Sequence, residues 1–179
     1  MEQLSHNDIE NEQKQFPITI VCDAIRTPEN IGMCFRISES FGVQKIYFHE
    51  NSPSIENRIV KKTARNTVNQ IQHTSYANFD NLINKLKAEG NTIIGIEITD
   101  KSINIQDFNF KKHEKIALLL GSERNGIKNI NLVDKTIAIP MYGRNSSMNV
   151  IHSLAINFIQ LNFVAVRTGV EFSEVVGQF

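Results

Sequence analysis

Short runs of β-branched and aliphatic residues recur along this chain, most of them bounded by small or polar residues, and this pattern restricts the fold more than any other feature. Ile18–Val21 ends at Asp23, Lys45–Phe48 is compact, and Thr92–Ile98 follows Gly90. Lys115–Leu120 runs into Gly121, Ser122 and Glu123, and Thr136–Ile139 runs into Pro140. Near-continuous apolar runs of this length suit strands covered on both faces, the usual condition of a parallel sheet. Segments of helical period lie between them. Thr27 and Pro28 offer a helix start, after which Ile31, Cys34, Phe35, Ser38 and Phe41 recur at helical spacing until Gly42 stops the run. Ile55–Thr67 reads as a basic helix, and Asn78–Ala88 sets Phe79, Leu82, Ile83 and Leu86 on one face before Gly90. Asn149–Arg167, carrying Leu154, Phe158, Leu161 and Phe163, reads as a buried helix or an interface. The alternation predicts an α/β domain with a mainly parallel sheet flanked by helices. In such sheets ligands gather beyond the carboxyl ends of the strands, so the loops after Leu120 and Ile139 are the first places to expect a site.

The length of 179 residues suits one domain, expected over 17–167, with a polar lead-in (1–16) and a short tail (168–179). The two cysteines, Cys22 and Cys34, lie in apolar surroundings and suggest no disulfide framework, which fits a reducing cytoplasm. The lead-in lacks the apolar core of a secretion signal, and no stretch approaches the roughly 18 apolar residues of a membrane span. Formal net charge is zero. On its own that argues mildly against nucleic acid, because phosphate neutralisation needs Lys and Arg gathered on one face.

Three segments carry a more specific pattern. Asp23–Val43, DAIRTPENIGMCFRISESFGV, is a strand end followed by a loop with Asn30 and Gly32 and a helix with Arg36. Leu118–Gly126, LLLGSERNG, places Gly121 and Glu123 directly after a buried strand. Ile139–Val150, IPMYGRNSSMNV, has Pro140, Gly143, and then Ser147 and Asn149 at the head of the last helix. Each alone is a common loop. Together, in this order and spanning most of the chain, they resemble motifs 1, 2 and 3 of the SpoU (TrmH-like) class of the SPOUT superfamily, which are 2′-O-ribose methyltransferases of tRNA and rRNA.

The resemblance implies S-adenosylmethionine as methyl donor, S-adenosylhomocysteine as product, no metal, a homodimer, RNA as partner with tRNA favoured over rRNA, and a deep trefoil knot near the C-terminus. It implies a donor pocket formed by Gly121, Ile139, Met141, Ser147 and Met148, with Glu97 nearby, and a catalytic set of Asn30, Arg36, Glu123, Ser147 and Asn149. Gly121, Gly126 and Gly143 would permit the close backbone approach that such a crossing needs. Methyl transfer demands in-line geometry, so gripping both partners lowers much of the barrier. A guanidinium is not expected to deprotonate in a protein, so Arg36 is better suited to an RNA phosphate or a developing alkoxide than to the role of base. On this reading Asn30 and Ser147 orient the hydroxyl, Glu123 fixes Arg36 or the motif 3 loop, and Asn149 holds the ribose.

Taken singly, these residues have plainer readings: Asn30 and Ser147 as helix caps, Arg36 as a solvated charge, Glu123 as a surface loop residue. It is the joint pattern that favours a site. His49, His73, His113 and His152 lack ligand spacing with Cys or carboxylate support and read as structural or exposed, with His152 the one to watch because it follows Asn149 by about one helical turn. Arg58, Lys61, Lys62 and Arg65 on the basic helix, extended by Arg26 and Lys45, are the expected contacts to the RNA backbone, against the alternative of a merely solvated face. The competing functions are a catalytically silent RNA-binding protein of the same fold and a base methyltransferase; Asn30, Gly32 and Arg36 favour ribose.

Overall fold

The computed structural model describes residues 4, 8, 13–110 and 115–167, the last six as backbone only. The expectations placed on most of the lead-in, the tail, His113 and the Phe163 side chain lie outside these residues.

The central strands form where the apolar runs predicted them: β1 (Phe16–Cys22), β2 (Val43–His49), β4 (Thr92–Ile96), β6 (Ile116–Leu120) and β7 (Lys135–Ala138). Two further strands, β3 (Gln72–Tyr76) and β5 (Ile103–Asn104), complete a seven-stranded sheet of order β3-β2-β1-β6-β4-β7-β5. Every recorded pairing of these strands is parallel. Register is fixed at the centre, where Cys22 aligns with Leu120 and Leu120 with Ile96, so the carboxyl ends of β1, β6 and β4 finish level.

Alternation along β6 divides the core into two layers. Ile116, Leu118 and Leu120 face α1 (Pro28–Ser40) and α4 (Val150–Arg167), packing with Ile31, Phe35, Leu154 and Phe158. Ala117 and Leu119 face the opposite side and meet Leu82, Ile83 and Leu86 of α3 (Phe79–Ala88). Sheet faces covered on both sides explain why these strands read as unbroken apolar runs. Phe41, just past α1, stacks on Phe158 of α4 with ring centroids 5.1 Å apart, which seats the last helix beside the first.

The basic helix is shorter than the expected Ile55–Thr67. α2 runs Arg58–Ala64 because Asn57 caps it, its side-chain oxygen accepting from Ile59 N at 2.8 Å. It ends at Arg65, whose φ of 55° breaks the helix and opens a 3₁₀ segment, Arg65–Asn69. Gly32 of α1 sits where α2 crosses: a Cβ there would lie 2.6 Å from Thr63 Cβ and 2.8 Å from Val60 O. Motif 1 therefore needs glycine at this position for helix packing.

Candidate active site

The loops leaving β4, β6 and β7 and the start of α4 surround a cleft of about 600 Å³, and the loop leaving β1 reaches it through hydrogen bonds to Glu123. Small-molecule sites commonly span roughly 300–1,000 Å³. Ile96, Glu97 and Ile98 line it from β4, Gly121 to Arg124 and Gly126 from β6, and Ile137 to Ile139 with Met141 from β7. Ser147, Met148, Asn149, Val150 and Ser153 close it from the start of α4. Every residue expected at the donor pocket, Glu97, Gly121, Ile139, Met141, Ser147 and Met148, is in this lining.

The β6 loop is held in shape by the backbone. Ser122 and Gly126 form an antiparallel bridge, Ser122 N donating to Gly126 O at 3.0 Å and Gly126 N to Ser122 O at 3.1 Å. Gly121 packs against that bridge so closely that a Cβ on it would lie 2.3 Å from Gly126 C. Gly126 has φ +62°, and a Cβ there would meet Glu97 Oε2 at 2.3 Å. The Glu97 carboxylate accepts from Ile98 N at 2.9 Å and from Ile127 N at 3.2 Å. Asp23, buried at the end of β1, accepts from the next amide, Lys128 N, at 2.9 Å. Two carboxylates thus pin successive amides as the loop leaves the cleft.

The three motifs meet through side chains. Asn30 donates from Nδ2 to Glu123 Oε1 at 2.9 Å, and its Oδ1 accepts from Asn149 Nδ2 at 3.1 Å. Asn149 Oδ1 in turn accepts from Ile151 N at 2.8 Å, capping α4. The two oxygens of Glu123 also accept from the backbone amides of Arg26 and Thr27, each at 3.2 Å, at the start of α1. Partial burial pushes the Glu123 carboxyl up, but the hydrogen bonds from Asn30, Thr27 and Arg26 together outweigh it and leave it below its ordinary value.

Three expectations need correction here. Asn30 does not cap α1: Thr27 occupies that position, while Asn30 lies inside the helix and is buried. Glu123 does not hold Arg36; its partners are Asn30 and the two amides, and it reaches motif 3 only through Asn30. Arg36 is half-buried on α1, outside the cleft lining, with no hydrogen bond or ion pair to its guanidinium among the described residues. Ser147 is exposed in the lining and does not cap α4, a task that falls to Asn149. His152 is exposed and outside the lining, whereas its neighbour Ser153 is within it. Among the described residues no His, Cys, Asp or Glu cluster could hold a metal ion.

On the basic side, Arg26, Arg58, Lys61, Lys62 and Arg65 are all exposed, and Lys61 is ion-paired with Glu56. Lys45 lies over the Tyr47 ring at 4.6 Å. Arg124 in the cleft wall and the amide-pinning role of Asp23 were not anticipated. Asp23 had a signal, an acid directly after a buried strand; Arg124 had only its place in motif 2. Behind the site, burial and the neighbouring Cys34 push the Cys22 thiol well up; its sulfur lies 3.8 Å from that of Cys34, and both side chains are buried in the core.

The 23S rRNA (guanosine-2′-O-)-methyltransferase RlmB of Neisseria meningitidis is 27% identical over 136 residues, 75% of this chain and 53% of that enzyme. The chain thus spans about half the length of this relative. The TrmH/SpoU tRNA modifying enzyme of A. aeolicus superposes with a TM-score of 0.78 at 20% identity, covering 88% of this chain and 80% of that one. The AdoMet-bound rRNA methyltransferase of Sinorhizobium meliloti superposes at 0.75 and 20% identity, over 92% and 60% of the respective chains. Residues 17–159 match the SpoU rRNA Methylase family. With its parallel sheet, its cleft and its three converging motif loops, the chain belongs to the SpoU rRNA methylase family.

Proposed function

We propose that this protein is an S-adenosylmethionine-dependent RNA methyltransferase acting on a ribose 2′-hydroxyl. The observation that carries the proposal is the hydrogen-bonded chain Glu123–Asn30–Asn149, which ties all three motif loops together at one cleft. The cleft lining suits the donor: Gly121 contributes backbone with no side chain at the end of β6, while Ile139, Met141 and Met148 supply apolar surface for an adenine. When bound there, S-adenosylmethionine supplies an activated methyl group.

The chain's own residues bind and orient. Asn30 and Asn149 have amide oxygens already engaged, so they hold loop geometry and do not act as a base. Ser147, exposed in the lining, offers its hydroxyl as a hydrogen-bond partner for the ribose hydroxyl. Arg36, with no carboxylate partner among the described residues, keeps its donors for an RNA phosphate or for negative charge developing on the oxygen. Arg26, Arg58, Lys61 and Arg65 contact the RNA backbone, Lys61 less strongly because Glu56 already neutralises it.

The reading extends to a homodimer, a cytoplasmic protein and a trefoil-knotted C-terminal region, with the domain spanning 17–167. Ile159, 59% exposed on α4, supports a partner on that helix. The test is transfer of labelled methyl to total tRNA and, separately, to rRNA, followed by nucleoside analysis. A labelled 2′-O-methylnucleoside is expected, from tRNA first. A labelled base would make the protein a base methyltransferase, and donor binding without transfer to either pool would favour a silent RNA binder.

A further inference from the structure

Resting on that reading, we propose that Tyr142 is a stacking platform for the base of the target nucleotide. Tyr142 is 93% exposed, more than any other large apolar side chain of the described residues. It directly follows Met141, a wall of the cleft, so its Cα stands about 3.8 Å from a cleft residue. A base whose ribose sits at the cleft mouth is therefore within reach of the ring. The surrounding loop, Gly143, Arg144, Asn145 and Ser146, is exposed and offers the ring no cover.

Charge supports the same assignment. The chain has no net charge, so a general electrostatic attraction for RNA is weak and local contacts must carry more of the binding. Arg124, in the cleft wall, and the exposed Arg144, two positions beyond Tyr142 in the chain, supply cations for the flanking phosphates. Unstacked bases are recognised by aromatic faces, and this contact tolerates any base, so Tyr142 sets affinity for an extruded nucleotide more than its identity.

The chain contains no tryptophan, so Tyr142→Trp introduces a single reporter. Its emission is expected to be quenched by a short adenosine oligoribonucleotide and unaffected by polyphosphate of equal charge. Tyr142→Ala is expected to lower kcat/KM for RNA by about tenfold to a hundredfold, mainly through KM, with donor affinity and oligomeric state unchanged. Tyr142→Phe should retain most of the activity. No quenching by the oligonucleotide, or equal quenching by polyphosphate, overturns the proposal. So does a fall in dimer mass with Tyr142→Ala, which would give the ring to a second copy of the chain. Quenching by RNA without methyl transfer by the unaltered chain would keep the platform while removing the enzyme, so the two readings fail separately.

Discussion

Gly121→Ala probes how tightly the cleft is built. Its Cβ would lie 2.3 Å from Gly126 C and 2.5 Å from Ile127 N, both backbone atoms that cannot swing aside as a side chain can. Relief requires the Ser122–Gly126 bridge to open, losing two backbone hydrogen bonds worth about 1 kcal/mol each net. Overpacking of a rigid site costs a further 1–3 kcal/mol or so. The sum, about 3–5 kcal/mol, corresponds in a domain of this size to a fall in Tm of roughly 6–20 °C. Movement of the bridge also shifts Ile127, whose amide is held by Glu97 in the cleft wall, so donor affinity should fall together with stability. Thermal unfolding and calorimetric titration with S-adenosylmethionine measure the two effects. An unchanged Tm with unchanged donor affinity would refute the close packing of this loop.

Other perturbations separate the parts of the site. Because the Glu123 carboxyl titrates below its ordinary value, its contribution is present at neutral pH and lost as pH falls through the folded-state value. The Tm difference between the unaltered chain and Glu123→Gln should therefore be steady above roughly pH 5.5 and shrink in acid; a pH-independent difference would show that the charge is irrelevant. Arg36→Ala should abolish turnover while leaving donor binding nearly intact, since Arg36 lies outside the cleft lining; equal loss of donor affinity would contradict that division. Replacing Arg58, Lys61 and Arg65 by Ala should weaken RNA binding and flatten its salt dependence by up to about 0.7–0.9 per lost phosphate contact. An unchanged slope would make α2 a solvated face.

Strands buried on both faces were legible because their composition alone demands burial: ITIV and ALLL have few other ways to satisfy a water-soluble fold. β3, by contrast, is QHTSY at the sheet edge with only Tyr76 buried, and β5 is two exposed residues, so neither carries an apolar run to read. That Gly121, Ile139, Met141, Ser147 and Met148 belong together was legible through the motif resemblance, and one cleft gathers them. The link between Asn30 and Glu123 was not, because the partners are 93 positions apart and only parallel pairing of β1 with β6 brings their loops together. The same distance hid the reach of Asp23 to Lys128 and made a local capping role for Asn30 look sufficient.

That pairing also imposes an order in time. β1 sits between β2, which follows it closely in the chain, and β6, whose Ile116 aligns with Ile18. On a ribosome moving at about 5–20 residues per second, the first edge of β1 is satisfied early while the second waits on the order of 5–20 s for its partner to be made. During that interval a mostly apolar strand presents an unpaired edge, the kind of surface that recruits other chains. A nascent chain halted before Leu120 therefore carries an adhesive half-sheet, and its escape from aggregation depends on the cell shielding that edge until the central strand arrives.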